Sequence, residues 1–366
     1  MRRYLLTLAV LATIPAPGGG FQIAPLDAVH ERLAWMSEQC LASGVVPAGG
    51  RMRCPFDDAT IAASIPAVST KPKDQKGIEA AVRWGDDPGR ATATMSTGQT
   101  VKYLFQLSQT CDDQVGKKGV FATIYRAGLM CSGHYGRLGF FHAMMSVDDA
   151  ALIAAAPSDP AVNARMQLVT RDKILAWTDF TYRVATGAVA PDASLCTTVS
   201  KDSMLAPVFD DGAKCRDADA AWTVRRFFTF KCTNPRLEKP CDTAPESDDA
   251  AVRLAALGAL LHTIQDSYAQ GHVRRLDPPA RDYRKNKLLP VIACEPPKQY
   301  FYYDKANRED GHGSADSEPS VRMCGPAAVV DDPVSAGAMA LWMARGNKPA
   351  KLFRAYLTAR VFPLPR

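Results

Sequence analysis

The ten cysteines, Cys40, Cys54, Cys111, Cys131, Cys196, Cys215, Cys232, Cys241, Cys294 and Cys324, include no Cys-x2-Cys pair. That absence argues against a thiolate zinc ribbon. The chain also lacks an internal repeat or a long low-complexity tract, which argues against a solenoid or a disordered linker. No apolar run approaches the roughly 20 residues a helix needs to cross a bilayer. Excess charge is small as well: 44 basic against 38 acidic residues leave a formal +6. Such a balance is compatible with an anionic substrate, but any solvated surface carries it without a nucleic-acid partner.

What is present is concentrated in one stretch. Ala250 to Leu261 is apolar almost all round, as a buried helix reads, and it runs into His262-Thr-Ile-Gln-Asp266-Ser-Tyr-Ala-Gln-Gly-His272. His262 and Asp266 are four apart and share a helical face. A buried, unpartnered carboxylate costs several kcal/mol, so Asp266 needs a cation or donor opposite. Imidazole with carboxylate is a ligand set that zinc accepts while keeping a position for water. His272 can join the same site only past a bend, which Gly271 offers. Downstream, His312 and Asp316 repeat the His-x3-Asp spacing in a Gly/Ser/Asp-rich segment that alone would read as a loop.

The pattern His-x3-Asp-x5-His followed by a second His-x3-Asp resembles the superfamily that joins bacterial zinc-dependent phospholipases C with single-strand-specific zinc nucleases. His30, in the helical segment Asp27 to Met36, resembles that family's first histidine. Trp84-Gly85-Asp86 looks like the nucleases' Trp-Ala-Asp ligand motif, and Gly133-His134-Tyr135 is similar to the histidine-aromatic motif that follows. The motifs stand in family order from His30 to Asp316, with long unmatched sequence between them. The resemblance implies up to three zinc ions. Asp86, His134, His262 and Asp266 would hold one, and His272, His312 and Asp316 another. Asp266 would bridge to a third, completed by His30 and by the amine and carbonyl of the mature N-terminal residue. Asp57, Asp58 and Asp87 compete with Asp86 for the early carboxylate. His142 competes with His134, and we assign the ligand role to His134 because Leu138 to Met145 reads as buried helix.

Residues 1–20 read as a signal peptide: Arg2 and Arg3, a short apolar core, then Pro15 to Gly20. Cleavage after Gly20 would leave Phe21 as the terminal ligand, whereas cleavage after Ala12 or Ala16 would move the amine. An even cysteine count in an exported chain argues for disulfides and for a periplasmic or secreted protein. Sequential pairing would give five small loops, although spacing alone does not fix connectivity.

Because the motifs span most of the chain, one core must gather them, and residues 21–366 are expected to form a single domain. Alanine-rich periodicity at 148–156, 161–187, 248–270 and 333–345 predicts helices. The expected fold is therefore mostly α, a multi-helix domain around a metal cluster with disulfide-stapled loops, and a monomer is expected. Residues 146–247 read as an insertion, either walling a substrate cleft or forming a stapled surface loop. Within it, Ala221 to Phe230 fits a strand or a buried helix equally. Arg274, Arg275 and the run Arg281 to Lys287 make the densest basic patch, either steering phosphate or capping a helix end. Tyr300 to Tyr303 would stack a base, box an ammonium group, or simply pack in the core.

The expected activity is hydrolysis of a phosphoric ester, in a phospholipid headgroup or single-stranded nucleic acid, by metal-activated water, with Asp86 or Asp87 orienting or deprotonating it. The alternative is an exported binding protein in which zinc is purely structural.

Overall fold

The computed structural model describes residues 27–56, 67–103, 128–209, 222–231, 248–277, 292–303 and 327–364, with a few positions between them. The signal segment, Phe21, Asp57, Asp58, His312 and Asp316 lie outside the described residues. The architecture is mostly α. In chain order the helices are α1 (Val29–Ala42), α2 (Gly77–Val82), α3 (Gly128–Tyr135), α4 (Val147–Ala155), α5 (Pro160–Ala185), α6 (Leu195–Val199), α7 (Ala206–Phe209), α8 (Val224–Thr229), α9 (Asp249–Asp266), α10 (Pro333–Arg345) and α11 (Ala350–Arg360). Strand structure among the described residues is two small antiparallel ladders. β1 (Val273–Arg274) pairs with β4 (Gln299–Tyr300), and β2 (Arg281–Asp282) pairs with β3 (Lys287–Leu288).

Local chemistry sets the helix starts. Asp159 and Asp332 cap α5 and α10 immediately before a proline at the first helical position, and Asp248 caps α9 by accepting from the Ala250 amide. A side-chain acceptor satisfies amides that the first turn leaves open, and proline loses nothing there. These three starts, and that of α4 capped by Ser146, agree with the four periodic stretches within a few residues. The ambiguous Ala221 to Phe230 segment resolves as the short helix α8, capped by Thr223, with Phe227 and Phe228 buried.

Helix α9 is the axis of the molecule, packed against α5, α2, α8, α10 and α1. Its uniform apolarity is thereby explained: it has almost no solvent face over its second half. At Gly258 the α2 backbone comes so close that any Cβ would collide with the Ala81 carbonyl, so glycine is required for this crossing. Among the described residues of 146–247, expected as an insertion, α5 and α8 pack directly against α9. Helix α5 is the longest helix described, and its Trp177 stacks on Phe141 at 3.9 Å and gives its indole hydrogen to Thr263 Oγ1 of α9 at 3.2 Å. Trp84, Phe227 and Phe228 complete this aromatic layer.

Three disulfides are described: Cys40–Cys54, Cys111–Cys131 and Cys294–Cys324. Each joins cysteines adjacent in sequence, in agreement with sequential pairing. The first ties the end of α1 to the chain that follows, and the second tethers α3. No helix among the described residues is long and apolar enough to cross a membrane.

Trp177 is fully buried and joins the aromatic layer to α9. Trp177→Ala is expected to cost about 3–5 kcal/mol, from lost burial plus the cavity left behind. Denaturant unfolding would measure it, and a loss under about 1 kcal/mol would mean that this layer does not hold α5 to α9.

Candidate metal centre

Seven potential ligands from separate parts of the chain converge beside the C-terminal turn of α9. Helix α9 provides His262 and Asp266, whose Nε2 and Oδ2 lie 3.0 Å apart. The first turn of α1 provides His30, with Nε2 3.3 Å from Asp266 Oδ1. The turn after α2 provides Asp86, and α3 provides His134, whose Nε2 is 3.2 Å from Asp86 Oδ1. A 3-10 turn, Gly139–His142, provides His142, with Nδ1 2.9 Å from Asp266 Oδ2 and 3.1 Å from His262 Nε2. His272 follows the end of α9, its Nδ1 3.6 Å from Asp266 Oδ2.

Three groups of ligand atoms lie within metal-binding reach of one another: His30, Asp86 and His262; Asp86, His134 and His142; and His142, His262 and Asp266. His272 stands at the edge of these groups. Five of the ligands expected from sequence thus belong to them, and His142 joins where His134 alone was expected. Helical reading of Leu138 to Met145 hid this, because the 3-10 turn ends at Ala143 in the left-handed region, φ 52°. That turn presents His142 to the cluster rather than to an apolar helix face.

The hydrogen bonds around the imidazoles fix their tautomers. His262 Nδ1 donates to the Val82 carbonyl at 3.0 Å, and His272 Nδ1 donates to the His142 carbonyl at 2.8 Å. His30 Nδ1 donates to Gln265 Oε1 at 2.6 Å. A carbonyl oxygen only accepts, so each Nδ1 carries a hydrogen, and Nε2 is the nitrogen left to bind a metal once it is deprotonated. Orientation of this kind is what metal-ligating histidines ordinarily receive. Gly85 belongs to the same arrangement, since a Cβ there would occupy the space of the His262 ring. Neither Gln265 nor the Val82 carbonyl was singled out from sequence. Gln265 carries a weak signal, a polar residue beside Asp266 in an apolar helix, while a backbone carbonyl carries none.

Asp87 is excluded as the early ligand. Its oxygens accept from the amides of Ala91 and Thr92 at 2.7 and 2.9 Å and from Thr92 Oγ1 at 2.6 Å, which commits it to holding the turn Ala91–Thr94. The basic patch also needs correction at Arg275. This residue is buried, donates to the carbonyls of Ser267, Glu295 and Val361, and lies 4.2 Å over the Tyr268 ring. It fastens the chain after α9 instead of steering a ligand. Tyr300 is buried, whereas Tyr303 meets Tyr135 edge-on at 4.4 Å, next to His134.

Burial works against ionisation of both carboxylates, but the surrounding histidines outweigh it. His262, His134, His142 and His30 hold Asp86 far below the usual range, and His272, His262, His30 and His142 do the same for Asp266. Burial, with His134 next to it, pushes His142 down to about 3. Burial also lowers His272. At His30 burial is overcome by Asp266 and Asp86, and the imidazole is pushed up to about 9. Two carboxylates among five imidazoles could hold a metal ion. No protein-family model, curated protein or solved structure matches the chain.

Without a metal, His30 carries a proton at neutral pH, whereas a metal ligand must be neutral. Its raised pKa stabilises the metal-free fold fully below about 6.5, and this contribution is lost as pH rises through about 9. Zinc binding at pH 7.5 is therefore expected to release about one proton from His30. Calorimetric titrations in buffers of different ionisation enthalpy would count it. Proton-free binding would show that His30 does not ligate.

Proposed function

We propose that the protein is an exported, zinc-dependent phosphoric ester hydrolase of the kind its motifs resemble. Its substrate would be a phosphodiester, in a phospholipid headgroup or single-stranded nucleic acid. The observation that carries this reading is the pairing of His30 and His262. Their Nδ1 hydrogens are taken by Gln265 and by the Val82 carbonyl, while their Nε2 atoms face buried Asp266 and Asp86. His30, Asp86, His134, His142, His262 and Asp266 would hold the metal ions, with His272 beside them. Bound zinc supplies an acidified water and neutralises charge on the phosphoryl oxygens.

The protein's own groups have separable tasks. Asp86 and His134 keep 11 % and 12 % of their side-chain surface accessible, while His30, His262 and Asp266 keep none. The substrate would approach from the Asp86 and His134 side. There Asp86 would orient the attacking water by accepting a hydrogen bond from it. Tyr135 and Tyr303 flank the same side and offer ring faces and edges to a base or an ammonium headgroup. A structural zinc site closes on four protein ligands, and an accessible edge favours the catalytic role over it. The disulfides and the lack of a spanning helix among the described residues are compatible with export.

Elemental analysis of the purified protein, paired with hydrolysis of a chromogenic phosphodiester, tests this. Two or three zincs per chain are expected, with turnover that chelation abolishes. Asp86→Asn should lower kcat by about 100-fold or more with the fold kept. Zinc retained without turnover would make the centre structural and the protein a zinc-stabilised binder; a metal-free folded protein would remove the metal centre altogether. Short single-stranded oligonucleotides and phosphatidylcholine vesicles, compared as substrates, separate the two classes.

A further inference from the structure

On the other side of the Arg83 to Asp87 turn lies a cavity of about 350 Å³, lined by none of the proposed metal ligands. The turn divides the two regions residue by residue. Gly85 and Asp86 face the histidines, whereas Arg83, Trp84 and Asp87 line the cavity. Its apolar wall comes from Trp84, Phe228 and Leu254, with alanines of α2 and α9. Four cationic side chains, Lys76, Arg83, Arg90 and Lys231, stand against a single carboxylate, Asp87.

The charges are not equivalent. Arg83 is buried and committed: it donates to Gln75 Oε1 and Thr92 Oγ1, and it lies 3.7 Å from both Asp87 and Glu31. Asp87 is likewise engaged by the Ala91 and Thr92 amides. Arg83 and Asp87 therefore serve the wall. Lys76 and Arg90 are exposed, and Lys231 is half-buried. All three line the cavity, from the residue before α2, the turn before Ala91–Thr94 and the chain just after α8. Arg90 adopts a left-handed backbone conformation, φ 54°, which L-residues other than glycine adopt at a cost. The bonds from Asp87 to the next two amides hold that turn and set Arg90 at the cavity.

We propose that this cavity is a binding site for a small organic phosphate monoester carrying a flat apolar group. Inorganic phosphate alone would leave the apolar wall uncovered, and cavities of this size ordinarily bury a ligand with an apolar body and one polar end. A doubly charged phosphate suits the two exposed cations, Lys76 and Arg90, on separate segments of the lining better than a carboxylate does. The assignment is independent of the metal centre, because it uses none of its residues.

Phenylphosphonate, which cannot be hydrolysed at an ester bond, is the probe. Calorimetric titration of the full chain at low salt is expected to show a saturable site that weakens as salt is raised. The double variant Lys76→Gln/Arg90→Gln removes two exposed cations and should weaken binding about tenfold or more. Leu254→Trp, which fills the apolar wall, should abolish it, and circular dichroism and zinc content establish that both variants keep the native fold and metal. Inorganic phosphate should bind more weakly than phenylphosphonate. Undetectable binding, or binding that both folded variants retain unchanged, would overturn the assignment. So would loss of binding only in His262→Ala, since the probe would then sit on the metal centre.

Discussion

Two carboxylates inside a helical core, Asp86 and Asp266, are the constraint on which the rest of this structure depends. Asp266 is wholly buried and Asp86 nearly so. An isolated buried carboxylate would be destabilising by several kcal/mol, and breaking an established buried pair is of the same order. The fold answers with imidazoles on every side. His30, His134, His142, His262 and His272 comprise five of the six histidines in the chain. The same arrangement that would be costly without partners is one that could hold a metal ion.

The helical framework can be understood as the apparatus that delivers those imidazoles. Helix α9 is buried because α5, α2, α8, α10 and α1 surround it, and burial of its last turn places His262 and Asp266 beyond bulk water. Contacts at single atoms then set the approach of its neighbours. Gly258 admits α2, Gly85 admits the His262 ring, and Ser37 Oγ bonds the Val334 carbonyl at 3.0 Å between α1 and α10. Helix α1 is thereby held where His30 meets Gln265. Electrostatics and packing are not separable here, since the ring orientations come from backbone carbonyls whose positions the packing fixes.

Proposed catalysis and the proposed phosphate site share the turn from Arg83 to Asp87 but divide its residues. The division rests on two adjacent aspartates with opposite duties. Asp86 is turned to the histidines, and Asp87 is consumed by the turn Ala91–Thr94. Their surroundings differ accordingly: imidazoles around one, backbone amides and a threonine hydroxyl around the other. Burial without a solvent-facing role also explains Arg275, whose charge is spread over three carbonyls and an aromatic face.

Periodicity and capping chemistry are local, and the sequence alone was sufficient to place α4, α5, α9 and α10, to mark α9 as buried, and to pair His262 with Asp266 on one face. The three bridges described join cysteines adjacent in sequence, a pairing that spacing alone left open. The motif favoured Asp86, but what separates it from Asp87 is the direction a turn gives neighbouring residues of the same type, which spacing does not record. The same holds for His142, whose 3-10 turn ending in a left-handed alanine has no periodic signature. That α5 and α8 of the 146–247 segment pack on α9 was equally hidden, because their partner lies far along the chain. Sequence determined which residues could ligate and which helix would be sunk in the core, since both follow from side-chain chemistry and 3.6-residue spacing. Tertiary structure decided which of them meet, because convergence at a few ångströms depends on long-range packing and on carbonyls that no side-chain pattern records.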